Sequence, residues 1–161
     1  MNTGVIQRGE EESAEDAEDA EKKPSWNLSS AVISAAIEVH EVLGPGLLEG
    51  IYEAAFCHEL GLRGIQVQRQ LAVPVFYKGV SLTQALRLDL LIDGSLVVEL
   101  KSIETLLPIH KAQLLSYLRL ARLQVGLLIN FNTQRLKQGI YRVVNSQVRN
   151  SASSAYSSSP R

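Results

Sequence analysis

The 161-residue sequence holds a single cysteine, Cys57, so no disulfide can close within the chain and no multi-cysteine zinc site can be built. A lone thiol suits a reducing compartment, and inside a helical pattern its expected task is packing. The sequence also lacks any apolar run long enough to cross a bilayer, and it does not start with a basic segment leading into an apolar one. A cytoplasmic chain with no membrane partner is therefore expected. No segment repeats another.

Charge is nearly balanced, with a formal net of −1, but it is unevenly placed. Residues 1–24 carry eight acids against three bases, which leaves the rest nine acids, thirteen bases and a net +4. That excess is compatible with a nucleic-acid partner without requiring one. The first 25 residues lack an apolar period and read as a disordered acidic tail. Residues 146–161, with serines at 146, 151, 153, 154, 157, 158 and 159, read as a second disordered tail. Between them, residues 26–145 hold enough apolar sequence for one core.

In that domain the spacing of Val32, Ile33, Ala36, Ile37, Val39, His40 and Leu43 predicts a helix from about Leu28, stopped by Gly44-Pro45-Gly46. A second helix, Leu48 to Leu62, turns Ile51, Tyr52, Ala55, Phe56 and Leu60 inward and ends at glycine. Ile65 to Tyr77 is strand-like, with Pro74 marking an edge or a break, and Lys78-Gly79 makes a turn. Pro108 opens a helix to about Arg122, with Ile109, Leu114, Leu115, Leu118 and Leu120 apolar. Val125 to Phe131 follows as a strand parallel to Val97–Lys101, and Ile140 to Val144 as a last strand. The order ααβββαβ(β) predicts an α/β sandwich around a mixed sheet.

The chemistry gathers in the central stretch, Leu86 to Lys101. Leu86, Leu88, Leu90 and Ile92 alternate on one arm and Leu96, Val98 and Leu100 on the other, around Asp93-Gly94, so the stretch reads as a β-hairpin. A two-residue loop would set apolar side chains beside charged ones. An odd loop of Ile92-Asp93-Gly94 instead pairs Leu91 with Ser95 and Arg87 with Glu99, and puts every leucine on one core face. The opposite face then collects Arg87, Asp89, Glu99 and Lys101. Two carboxylates can share a Mg²⁺ that keeps most of its waters, and a nearby ammonium can orient attacking water at a phosphodiester. A solvated sheet face with an ion pair is the plain alternative.

Two further pairs stand on helices. Glu49 opens the second helix with Tyr52 on the same face, and Gln113 and Tyr117 share a face of the third. Each has an ordinary explanation, since an acid in a first turn is favoured by the helix dipole and a tyrosine is often a core residue. Taken together, Gly46-x-x-Glu49-x-x-Tyr52, then Asp89, then Glu99-Leu100-Lys101, then Gln113 and Tyr117 resemble the PD-(D/E)XK nuclease superfamily. More narrowly they resemble its small bacterial GxxExxY proteins, over roughly residues 28 to 145. Arg87-Leu88-Asp89 replaces the Pro-Asp of the superfamily name.

The resemblance implies a restriction-endonuclease-like core, a mixed central sheet flanked by helices. It implies Asp89 and Glu99 as metal ligands, Glu49 completing the metal site and Lys101 as the catalytic base or positioning group. Gln113 and Tyr117 would belong to the active site and its DNA contact. The expected cofactor is Mg²⁺ or Mn²⁺ and the expected partner is nucleic acid, DNA first. Two other functions compete: an interaction module that keeps the fold without turnover, and a small-molecule hydrolase, which would leave Lys101, Gln113 and Tyr117 without a task. His110 is close enough to the motif to face a phosphate, although a helix-start histidine is usually just solvated, while His40 and His58 have no clustered partners and read as structural or exposed.

Overall fold

The computed structural model describes residues 25–148; the two tails expected at the ends lie outside the described residues, apart from Ser25 and residues 146–148. Helix α1 (Ser25–Leu43) is followed by α2 (Glu49–Leu62). Gly44 and Gly46 both take positive φ between them, the conformation that makes Gly-Pro-Gly an abrupt stop. Tyr52 locks this loop. Its hydroxyl donates to the Gly44 carbonyl and accepts from the Leu47 N–H, while its buried ring stacks on Phe131 at 4.5 Å.

Strand β1 (Val67–Val73) leads into a small separate hairpin, β2 (Phe76–Tyr77) and β3 (Val80–Ser81), with Pro74 outside any strand. Then come β4 (Leu86–Ile92), β5 (Leu96–Lys101), α3 (Pro108–Ala121), β6 (Val125–Asn130), a short 3₁₀ turn (Leu136–Gly139) and β7 (Ile140–Val144). The main sheet has the order β1-β4-β5-β6-β7. Only the β5–β6 pair is parallel, joined across α3 as expected, and the other neighbours are antiparallel.

Helices cover both faces of this mixed sheet. Val32, Ala36, Tyr52, Phe56 and Leu60 of α1 and α2 pack on Leu90, Ile92, Leu96, Val98, Leu100, Leu127 and Ile129. On the other face, Leu114 and Leu118 of α3 pack on Leu88, Leu91, Val97 and Leu128. Gly126 lets α3 approach, because a Cβ there would stand 2.9 Å from a Leu114 methyl. Strand β6 is buried along its whole length, which is why its sequence runs apolar without alternation.

Three expectations are corrected. Ile51 is exposed rather than inward, since it sits about 100° around α2 from the seated Tyr52, and Ile109 and Leu120 are likewise outside the narrow Leu114–Leu118 stripe. The hairpin loop is odd but displaced by one residue, to Asp93-Gly94-Ser95, which shifts the pairing by two: Ile92 pairs with Leu96 and Leu91 with Val97, not with Ser95. Asp93 and Gly94 are both left-handed, the Ser95 N–H closes on the Ile92 carbonyl, and Ser95 stays out of the ladder. The favoured Asp-Gly turn thus forms, and the extra serine restores the side-chain parity that a bare two-residue loop would spoil. Arg87 consequently pairs with Ala72 of β1, and one further step of the β4–β5 register sets Asp89 opposite Glu99.

The third correction concerns faces. Leu90 and Ile92 join the core under α1 and α2, but Leu86 and Leu88 pack with α3, so the leucines of β4 do not share one face. Strand β1 changes face too, with Val67 on the first side and Leu71 and Val73 on the second. The slip falls at Gln70 in β1 and Asp89 in β4, the one pair missing from an otherwise continuous register. Gln70 has φ +51°, and this left-handed residue turns the following strand over.

Candidate active site at an opened strand pair

The β4–β5 ladder runs from Ile92↔Leu96 to Leu90↔Val98 and stops. Beyond it, two side chains take over the work of the missing backbone bonds. The Asp89 N–H donates to Glu99 Oε1 at 3.3 Å, and the Leu100 N–H donates to Asp89 Oδ2 at 3.1 Å. The carboxylates are therefore seated by the strands they interrupt. The two carboxyls are also hydrogen-bonded to each other, which further favours a proton on Glu99.

This seating is electrostatically costly. Glu99 is 5% exposed, and its carboxyl is pushed from an ordinary 4.5 up to about 8, first by burial and then by the charge of Asp89. The Asp89 amide and Lys101 offset part of this. Glu49, at the first turn of α2, is also raised, mainly by burial; Lys101 pulls it back, Asp89 and Glu53 add to it, and the Ser102 amide lowers it. Glu49, Asp89, Glu99 and Lys101 thus sense one another. They do not close into a tight knot. The ion pairs among the described residues are Arg63–Glu59 and Arg69–Glu53, so Lys101 has no carboxylate within 4.0 Å. Among the same residues no three acids, histidines or cysteines are assembled closely enough to hold a metal ion.

The donor set nonetheless fits a hard divalent cation: two neighbouring carboxyls share a buried place, and a cation in place of the proton between them would relieve their mutual repulsion. Asp89 and Glu99 are the residues that could hold it, with Glu49 within electrostatic reach.

Several positioning residues were not singled out from sequence. Ser102 Oγ donates to the Leu47 carbonyl, joining the end of β5 to the loop that presents Glu49. Buried Asn130 holds the same segment from β6, accepting from the Ile103 N–H at 3.0 Å and donating to the Ile103 carbonyl at 2.8 Å. Glu53, one turn beyond Glu49, accepts from Arg69 Nε at 2.9 Å and Gln70 Nε2 at 3.0 Å, and so anchors the left-handed residue at the slip. A buried acid one helical turn from a motif acid was the one available signal.

Gln113 and Tyr117 meet each other, Gln113 Nε2 donating to Tyr117 Oη at 2.6 Å, and neither makes a hydrogen bond to Asp89, Glu99 or Lys101. Tyr117 packs against the core beneath α3, and Gln113 is exposed. His110 Nδ1 accepts from the Leu107 N–H at 2.9 Å and so caps α3. His40 is buried and donates to the Thr133 carbonyl, while His58 is exposed. Arg87 is exposed and takes no part in shifting Glu99.

A mixed sheet covered by helices, with an acidic pair at an opened strand junction and a lysine two residues on, defines a nuclease-like α/β domain. The family model of the PD-(D/E)XK nuclease superfamily matches residues 26–143, and the chain belongs to that superfamily. Nucleases of this group generally use divalent metals and act on nucleic acid. No curated protein and no solved structure matches the chain. No helix among the described residues is long and apolar enough to cross a membrane.

Proposed function

We propose that this chain is a GxxExxY-type nuclease that hydrolyses phosphodiester bonds of DNA in the cytoplasm with Mg²⁺ or Mn²⁺. The observation that carries the reading is the Asp89–Glu99 pair, held side by side by the amides of an opened ladder and hydrogen-bonded to each other. The two carboxylates, on giving up the proton between them, would hold the ion, and Glu49 would assist directly or through water. A bound divalent ion supplies a water of lowered pKa and offsets charge developing on the phosphoryl oxygens. Lys101, with no carboxylate within 4.0 Å among the described residues, orients the attacking water and offsets charge developing on the phosphoryl oxygens. Gln113 and Tyr117, already hydrogen-bonded to each other, present an amide and a phenol to the nucleic acid.

A second reading, an interaction module with the fold but no turnover, draws on the absence of a tight three-ligand cluster among the described residues. Calorimetric titration with Mn²⁺, then nicking of supercoiled plasmid and of single-stranded DNA, separates the two. Metal binding with nicking that disappears in Glu99→Ala supports the nuclease. Metal-dependent binding to DNA with no cut strand at any metal concentration supports the module.

A further inference from the structure

We infer that the β2–β3 hairpin is a stacking platform for single-stranded nucleic acid, a proposal that rests on the nuclease reading and adds how its substrate is held. The hairpin has no core beneath it: every residue from 76 to 85 is exposed. Yet it carries Phe76 and Tyr77, 62% and 63% exposed, whereas Phe56 and Phe131 are fully buried. Val80 and Leu82 add apolar surface beside them. Phe76 pairs with Ser81 and Tyr77 with Val80, so the rings are held by strand pairing and a Lys78-Gly79 turn with positive φ at both residues. Lys78 Nζ lies 5.5 Å from the Tyr77 ring centroid, which puts a cation beside an aromatic face.

Charge selects the occupant. No acid occurs from residue 60 to residue 88, a stretch holding Arg63, Arg69, Lys78 and Arg87. The first two are paired with Glu59 and Glu53; among the described residues Lys78 and Arg87 have no acid within 4.0 Å. A second copy of this hairpin would bring like charges together, while a polyanion with exposed bases meets both the rings and the cations. A duplex keeps its bases stacked on one another and offers the rings nothing. Position agrees as well. The hairpin leaves the sheet just past the Val73↔Leu86 pair, and Asp89 lies three residues further along β4, about 10 Å away. Arg87 stands between them in sequence, so a strand stacked on the hairpin can lead past a cation to the carboxylates.

The test uses the full chain in EDTA, which separates binding from cleavage. Fluorescence anisotropy is read with oligothymidylate and oligouridylate of about 12 nucleotides and with a duplex of equal length. The double variant Phe76→Ala/Tyr77→Ala should weaken single-strand binding about tenfold and leave duplex binding unchanged. Phe76→Tyr with Tyr77→Phe keeps two rings and should keep the affinity, which guards against a hairpin that simply unravels. Lys78→Ala should lower the salt slope of log K by about 0.7. Ring-dependent binding of either oligonucleotide supports the platform, and the two arms tell deoxyribose from ribose. Wild-type protein that ignores single strands, alanine variants that bind them equally well, or a wild-type dimer that sediments as monomer in the alanine variant would each overturn it. If the hairpin effect stands while no metal yields a nick, the hydrolytic reading alone fails.

Discussion

Replacing Glu99 by glutamine removes a charge that the folded protein accommodates poorly, and the consequence should be readable as stability against pH. In the folded chain the Glu99 carboxyl titrates near 8, against 4.5 ordinarily. Between those values the folded state holds a proton that the unfolded state has lost, so unfolding releases one proton. Stability then falls as pH rises, by about 1.4 kcal/mol per unit, with a ceiling of about 5 kcal/mol across the window. Glutamine keeps the acceptor for the Asp89 N–H and carries no charge. In EDTA, urea unfolding from pH 5 to 8 should show a declining wild type and a much flatter Glu99→Gln, the variant being the more stable at pH 8. Any residual slope from Glu49, raised in the same direction, should disappear in Glu49→Gln/Glu99→Gln. Excess Mg²⁺ at pH 8 should restore the wild type, by about 2.7 kcal/mol at a hundredfold excess over Kd, and leave Glu99→Gln unmoved. Parallel pH profiles of the two proteins would refute the reasoning.

Lys101→Ala should keep most of the metal-induced rise in Tm and lose plasmid nicking by at least about a hundredfold; equal nicking would remove Lys101 from the chemistry. Tyr52→Phe deletes a hydroxyl that both donates to Gly44 and accepts from Leu47, and should cost about 1–3 kcal/mol in urea unfolding while weakening the metal response through Glu49. Gly139→Ala should destabilise by a similar margin, since the new Cβ would strike the Asn130 carbonyl. Gly61→Ala, with open space around it and no positive φ, is the control whose Tm should not fall.

The three helices were legible because their apolar residues recur at helical spacing and their ends carry Gly-Pro-Gly, Gly64 and Pro108. The parallel β5–β6 pair followed from the length of the α3 crossover. Asp89 and Glu99 could be placed together because strand parity brings them to neighbouring positions, even though the turn absorbed Ser95 rather than Ile92. What stayed hidden depends on contacts across the chain. Gln70 is not a residue whose type announces a left-handed backbone; its partner Glu53 lies 17 positions earlier and reads as a surface acid on a helix. Asn130 looks like an ordinary strand-end amide until Ile103, 27 residues away, is seen to occupy it. Ile51 misled because the spacing of α2 identifies an apolar sector wider than the part that the sheet covers.

The paired turnover of β1 and β4 has a bearing on ancestry. It is built from Gln70, Glu53 and the backbone opposite Asp89, none of which needs a metal or a substrate to persist. A descendant that exchanged Asp89 for an aliphatic residue would lose one of the two paired carboxyls, but it would still carry Leu86 and Leu88 on the α3 side and Leu90 and Ile92 on the other. A strand of unbroken alternation would move one of those pairs of leucines to the opposite face, so the change of face is held by the core independently of the acids. Among inactive relatives of such a protein, the change of face in the fourth strand should outlast the acids beside it.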